Sequence, residues 1–563
     1  MNTVSFSRLG NHGRLSNQLF QLCSTIGIAA KNNAQATFPE WSYERYFDIE
    51  LDHNLMPVCD IVKESRFEYS DINLDGGAFD LSGYFQSEKY FDQSHGRALK
   101  FKYQVVIDAM GKLEPGAFDK PTILMHIRRG DYVGNPHYYQ LPITYYIGAL
   151  IQIPGWQECN VIIISDDLPY AKVHFQCLGD NVFFADDLNE VESMALAPMC
   201  DHFILSNSTY SWWCAYLGEK VHSQIIHPGH LFRGPSLGAN NTKDFWPDRW
   251  TRYKLDSYKL DLSKMTFTIP VFHDHRDRKH NLDLSVCMLQ SAFHTNIIVM
   301  EQGGNKFEYM GQYCQYIKFK NRVFHRTKML NDMAILATTP YIANWDCDII
   351  IPPMQVYLGV LMLMQGAEML FPYDGRFARL PREPWFKSIQ STLDIGVVKD
   401  DEPKGKRGRA VPVSSVGGAV FFNKASFIDG GMENENMISF GPEDCERNDR
   451  FSMLGYRVER IDGCLYHIDH WCGPDSSKRN PYFRANHLEL DKIRLMNQQE
   501  LKAYVQTWMW RPVKVSQEEV DKRLQEVCEW AERQTGTRYQ IVSSDMHDLI
   551  SEFINAPVNS ATL

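Results

Sequence analysis

Thr122-Ile-Leu-Met-His126-Ile-Arg128-Arg129-Gly130-Asp131-Tyr132 decides how the first half of this chain is read. Its opening residues are apolar and its end is abruptly charged. A strand that releases polar residues in this way places them at the carboxyl edge of a parallel sheet, where α/β folds bind ligands. Paired arginines at that edge can grip a diphosphate through charge-assisted, bidentate hydrogen bonds, and Asp131 can orient one of them. His126 and Asp131 are both candidates for a general base.

Three other stretches repeat the logic. Val161–Ser165 is an apolar run that ends in Asp166-Asp167, an acidic pair suited to ribose or base. Phe203-Ile-Leu leads into Ser206-Asn207-Ser208-Thr209, whose hydroxyls at a strand-to-helix turn can bond phosphate or ribose oxygens; Trp212 and Trp213 behind them read as core. Near the start, Gly13-Arg-Leu-Ser-Asn17-Gln18 turns into a helical stretch, and free N–H groups at a helix start suit an anion. Alternating β-rich and amphipathic runs predict a parallel sheet covered by helices.

A polar, aromatic segment, residues 240–264, interrupts this pattern, and Phe267-Thr-Ile-Pro-Val-Phe272 starts another. The expected division is residues 1–250, a linker at 251–264, a second α/β unit at 265–505 and a helical tail at 506–563 with Val520, Leu524, Val527 and Trp530 at helical spacing. No internal repeat is visible, so the halves are different modules.

In the second half, Asn344-Trp-Asp346-Cys-Asp348 carries carboxylates at alternate strand positions, hence on one face. Such a pair is a ready site for a hard divalent cation bridging a nucleotide diphosphate. Around it stand Asp274, Arg276 and Arg278 after the first strand, Arg326 and Lys328 at a helix start, Gly417-Gly418, the acidic Glu443-Asp444-Cys-Glu446, and His467 and His470. Missing side chains at the glycine pair would let a sugar approach the backbone.

The composition bounds the answer. With 563 residues the chain is long enough for two large domains, and 44% hydrophobic residues exclude a disordered or fibrous chain. A net charge of −11 argues against a protein built to hold nucleic acid. The longest apolar run, Val356–Met364, falls short of the roughly 20 residues a membrane-spanning helix needs. The N-terminus shows no basic region followed by an apolar one, so no secretory signal is expected. The 13 cysteines are scattered without a CxxC pair, which fits a reduced, cytoplasmic compartment, with at most peripheral membrane association.

The stretches GRLSNQLFQ, GYFQSEKYF, HIRRGDYV, ISDD and SNSTYSWWCAYL, in that order, resemble the bacterial α-1,2-fucosyltransferases over roughly residues 5–250. The resemblance implies a GT-B-type, two-lobed Rossmann-like fold, an inverting mechanism and no metal. Arg128 and Arg129 would neutralise the GDP leaving group, with Gly13, Asn17, Asp166, Ser206, Asn207, Ser208 and Thr209 on the nucleotide side. Ser16 departs from the pattern, in which glycine is usual.

From about 265 to 485, FHRTKMLN, WDCDI, GG and GPEDCER resemble the β-1,4-galactosyltransferase family and its chondroitin-polymerising relatives. That implies a GT-A fold, an inverting reaction and Mn²⁺. Asp346 and Asp348 would hold the metal–UDP unit, with His467 or His470 as a further ligand. Asp274, Arg278, Arg326 and Gly418 would face the donor. Asp444 would deprotonate the acceptor hydroxyl and Glu443 would hydrogen-bond it. The family's WGGED reads Phe440-Gly-Pro-Glu-Asp here, which bears on acceptor and donor sugar.

The function expected is thus bifunctional. UDP-galactose donates galactose at the second site, and GDP-fucose donates fucose to its 2-hydroxyl at the first. The glycan acceptor is either a lipid-linked repeat unit of a surface polysaccharide or a free oligosaccharide. The alternatives are UDP-GalNAc or UDP-glucose as second donor, or one half acting as a glycan-binding module.

Overall fold

The strand Thr122–Ile127 sits where its sequence places it, in a sheet buried on both faces. Ile123, Met125 and Ile127 join one hydrophobic cluster while Leu124 joins another, and Val161 and Ile163 alternate with Ile162 and Ile164 in the same way. The computed structural model describes residues 2–55, 59–91, 99–253, 258–321, 323–398, 415–471 and 478–511.

The first half holds two parallel sheets. One orders its strands as Gln35–Thr37, Thr3–Ser5, Ala78–Ser82 and Asp60–Lys63. The other runs Thr251–Arg252, Ile225–His227, His202–Ile204, Thr122–Ile127, Asn160–Ser165 and Val182–Phe184. Their carboxyl ends carry the polar clusters singled out above. Trp212 and Trp213 are fully buried core residues.

The second half is a mixed seven-stranded sheet. Gln315–Phe319, Phe293–Gln302, Leu260–Phe272 and Tyr341–Trp345 run parallel; Ala419–Asn423 then pairs antiparallel, followed by Met369–Phe371 and Val458–Arg460. A small sheet of Ile349–Ile350, Leu465–Ile468 and Phe377–Leu380 lies at its end.

The segment expected as a linker, 251–264, is strand at both ends. Thr251–Arg252 closes the six-stranded sheet, and Leu260 already opens the long strand Leu260–Phe272. One buried cluster passes from Ile123, Tyr145 and Tyr170 of the first half to Phe267, Trp345 and Phe421 of the second. Among the described residues no helix is long and apolar enough to cross a membrane. The tail is described through Arg511, past the helix Gln498–Gln506; Val520, Leu524, Val527 and Trp530 lie outside the described residues.

Candidate active sites

Between the two sheets of the first half lies a cavity of about 680 Å³. Two helix N-termini open on it, those of Leu15–Lys31 and Thr209–Gly218. They are tied across the gap. Asn17 Oδ1 accepts from Thr209 Oγ1 at 3.1 Å and from Gln86 Nε2 at 3.0 Å, and Ser16 Oγ lies 3.1 Å from Thr209 Oγ1. Ser16 thereby takes part in this tie. Free N–H groups and two positive dipole ends facing one cavity suit an anionic ligand.

Arg128 lines the same cavity. Asp131 holds its guanidinium on one side and Asp166 on the other, with Nη1 2.6 Å from Oδ2. The second oxygen of Asp166 accepts the backbone N–H of Arg129 at 2.8 Å. Asp166 comes so close that a Cβ on residue 130 would stand 2.3 Å from its Oδ2, hence the glycine after the arginines. Arg14, Tyr84, Tyr138 and Glu190 also border the cavity. Sequence reasoning passed over them because none sits in an apolar-to-polar switch.

Several expected ligands are placed otherwise. Arg129 is not among the cavity-lining residues: its guanidinium lies 3.6 Å from the ring centroid of Tyr170 and donates to Asp167 at 3.2 Å. Ser206 is fully buried, 3.1 Å from His126 Nδ1, with Ser211 Oγ at 2.6 Å from the same nitrogen. Burial, with Arg128 adding, lowers the His126 pKa to about 3. His126 borders the cavity, and its Nδ1 is engaged by the hydroxyls of Ser206 and Ser211. Asn207 borders the cavity, but its amide donates to the carbonyls of Tyr139 and Leu231.

In the second half, strand pairing builds the cluster around Asp348. Ile349 pairs with His467, so the turn after Trp345 brings Asp348 against the strand that carries His467 and against His470 just beyond it. Asp348 Oδ2 lies 3.0 Å from His470 Nε2, and Oδ1 lies 3.6 Å from His467 Nε2. The three donor atoms fall within 4.8 Å of one another. His470 Nδ1 is 2.7 Å from the Trp471 carbonyl, which leaves Nε2 turned toward Asp348. Sequence reasoning held the two histidines as alternatives; the structure brings both together. Asp346, expected to share the metal, stands outside this group, and Arg326 Nη2 pairs with it at 2.8 Å. The strand ends at Trp345, so the two carboxylates do not share a strand face. Arg278 reaches Asp348 at 2.5 Å and Asp274 at 3.5 Å.

Arg326 opens the helix Arg326–Leu336 and also reaches Asp444 at 3.3 Å and Glu443 at 3.8 Å. Arg447 bonds Asp444 at 2.6 Å and is itself anchored on the fully buried Glu433 at 2.9 Å, which accepts from Asn344 at 2.6 Å. Arg447, Glu433 and Asn344 were missed as site residues because each reads singly as core or loop. The neighbouring acids differ. Burial, with Asp444 adding, pushes the Glu443 carboxyl up to about 8. Burial would raise Asp444 too, but Arg326 and Arg447 outweigh it and hold the group below its ordinary value. Adjacent carboxyls pushed apart in this way divide into a proton-bearing partner and an ionised base. Of the glycine pair, Gly417 faces Asp444, where a Cβ would stand 2.6 Å from Oδ2; Gly418 instead makes room for Leu465.

Residues 59–230 match the sequence pattern of glycosyl transferase family 11, so the first half carries a glycosyltransferase region of that family. The chain is 35% identical over 138 residues to the O-antigen biosynthesis glycosyltransferase WbnK of Escherichia coli, covering 23% of this chain and 43% of that protein. It is 25% identical to the Escherichia coli alpha-1,2-colitosyltransferase over 31% of this chain and 63% of that one. It is 22% identical to a galactoside 2-alpha-L-fucosyltransferase of Caenorhabditis elegans, over 44% and 79% respectively. The chain thus spans less than two thirds of both bacterial relatives. The catalytic domain of Drosophila beta1,4galactosyltransferase 7 in complex with xylobiose overlaps 36% of this chain and 65% of that one at 16% identity, with a TM-score of 0.24.

Proposed function

We propose that the chain is a two-site inverting glycosyltransferase. The first half, two-lobed and GT-B-like, transfers fucose from GDP-fucose to the 2-hydroxyl of a galactose. The second, GT-A-like half transfers galactose from UDP-galactose to a glycan of a surface polysaccharide or oligosaccharide. The product of one site is then the acceptor of the other, and tethering raises its effective concentration.

The observation that carries this reading is the contrast in how each cleft meets a nucleoside diphosphate. In the first, Arg128 is held by Asp131 and Asp166 beside Arg14 and two helix N-termini, so guanidinium and backbone N–H donors for a diphosphate already border the cavity. In the second, Asp348, His467 and His470 form a two-nitrogen, one-oxygen donor set that fits a divalent cation such as Mn²⁺, and His467 Nδ1 is buried without a partner. These three residues would hold the ion, which supplies charge neutralisation of the leaving diphosphate when bound. Asp444, ionised between Arg326 and Arg447, is placed to take the acceptor proton, and Glu443, protonated at neutral pH, to hydrogen-bond the acceptor.

The test is to incubate the full chain separately with GDP-fucose, UDP-galactose, UDP-GalNAc and UDP-glucose, with Mn²⁺ or EDTA, over galactoside and N-acetylhexosamine acceptors. Released nucleotide is the readout. Metal-independent turnover of GDP-fucose together with metal-dependent turnover of UDP-galactose supports the reading; another UDP-sugar in its place reassigns the second donor. Turnover of one nucleotide class alone would refute the two-site reading.

A further inference from the structure

The arginine pair of the first half is reached by a carboxylate from the second. Asp394 follows the helix Arg382–Thr392 in a tight turn and accepts the backbone N–H of Gly396 at 2.8 Å. That turn presses onto the first-half helix Leu168–Phe175. Asp394 Oδ2 accepts from Tyr170 Oη at 2.7 Å, and Oδ1 lies 2.9 Å from His174 Nε2. The fit is close: a Cβ on residue 396 would stand 2.5 Å from both His174 Nε2 and the Tyr170 ring. Tyr170 is 1% exposed and His174 is fully buried, so the contact is part of the core shared by the halves.

The Tyr170 ring also carries the Arg129 guanidinium, 3.6 Å from its centroid. Arg129 in turn gives its backbone N–H to Asp166 Oδ1, while Asp166 Oδ2 holds the cavity-lining Arg128. A short relay of packed and hydrogen-bonded groups therefore runs Asp394, Tyr170, Arg129, Asp166, Arg128. We infer that Asp394 is a positioning residue for the first site: the second half sets the arginine of the first that meets the donor's diphosphate. The inference rests on the reading of that cavity as a GDP-sugar site.

Tyr170→Phe and Asp394→Ala separate this role from simple packing, with Tyr170→Leu as the control that removes the ring. Tyr170→Phe keeps the ring beneath Arg129 and removes the hydrogen bond to Asp394. Asp394→Ala removes the carboxylate. Both should weaken binding of GDP, measured by calorimetry on the full chain: Tyr170→Phe, which loses one buried hydrogen bond, roughly 3- to 10-fold, and Asp394→Ala, which also frees His174 and the Gly396 N–H, at least as much. The kcat/KM for GDP-fucose should fall at least in step with GDP affinity, since the displaced arginine meets the donor's diphosphate in both ground and transition states. Kinetics of the UDP-sugar reaction should stay unchanged in both variants, an outcome that a general loosening of the fold would not give. Wild-type affinity for GDP in Tyr170→Phe and Asp394→Ala alike would overturn the inference while leaving the GDP site standing. Loss of GDP binding only in Tyr170→Leu would also overturn it, since the ring alone would then do the positioning. Failure of the wild-type chain to bind GDP at all would overturn the GDP-site reading and the inference with it.

Discussion

The two clefts are nearly inverse in charge design. In the first, an arginine forms the centre: Arg128 lies between Asp131 and Asp166 on a cavity wall that also carries Arg14, Glu190 and the hydroxyls of Ser208 and Thr209. In the second, carboxylates form the centre, and Arg278, Arg326 and Arg447 hold them. The difference teaches that a leaving nucleoside diphosphate can be met by charge already fixed in the protein or by a pocket that must first gather a metal. In the first cleft, the strong shifts come chiefly from burial, which lowers His126 and raises the tyrosines Tyr132 and Tyr210 at the cavity wall. The second concentrates titratable groups in the protein interior and forces their proton affinities apart.

That contrast breaks most directly at Asp348. Asp348→Ala should abolish Mn²⁺ binding, followed by calorimetry, and lower UDP-sugar turnover by roughly 10³-fold, with GDP-fucose turnover unchanged. Equal loss at both sites in a folded protein would end the idea of two independent charge designs. Asp444→Asn should come next, lowering kcat for the UDP-sugar reaction by about 10²- to 10³-fold with Mn²⁺ affinity retained, because it removes the base and leaves the metal ligands in place. An unimpaired Asp444→Asn would shift the role of base to another group.

The mirror experiment is Arg128→Ala. It removes the one cation shown bridging Asp131 and Asp166 at the cavity wall, so kcat/KM for GDP-fucose should fall about 10²-fold and added Mn²⁺ should restore nothing. Recovery by the metal would mean that the first cleft also gathers cations, and the contrast would collapse.

Much of this architecture was legible in the chain. The strand Thr122–Ile127 and the polar edge that follows it were readable because a doubly buried parallel strand is mostly apolar, here Ile-Leu-Met before His126 and Ile127, and the charges come only once it ends. The acids and histidines of the second cleft were visible as residue types, but their grouping was not. Asp346 and Asp348 look like a matched pair on a continuous strand, yet the strand stops at Trp345 and each carboxylate meets a different cation. That His467 and His470 act together depends on the register Ile349↔His467, which only strand pairing sets. The start of the long strand at Leu260 was hidden because Leu260-Asp-Leu-Ser alternates buried and exposed positions at a period easily taken for a polar linker. Nothing local announced the contact of Asp394 with Tyr170 and His174: it joins residues more than two hundred positions apart, and Asp394-Ile-Gly reads as an ordinary turn.

The smallest expected effect sharpens the comparison through stability. The Glu443 carboxyl titrates near 4.5 when exposed and about 8 in the fold, chiefly because burial disfavours its charge. A raised carboxyl keeps its proton in the native state over a pH range where the unfolded chain has lost it. Its contribution to stability is therefore fully present below about 4.5 and is lost progressively as pH rises toward about 8. Glu443→Gln stays neutral throughout and escapes that loss. The variant's Tm should thus gain on wild type as pH climbs through this window, by on the order of 3 °C, and the gap should level off above it. His126 in the first cleft runs the other way: its ring titrates near 6.5 when exposed and about 3 in the fold, so wild type gains stability as pH rises toward about 6.5, and the Tm of His126→Asn should fall behind wild type between pH 5 and about 6.5 and keep a constant gap above it. Parallel melting curves for wild type and Glu443→Gln would mean that the acid is ionised in the fold. Glu443 could not then present a proton to an acceptor oxygen, and the division of labour with Asp444 would have to be redrawn.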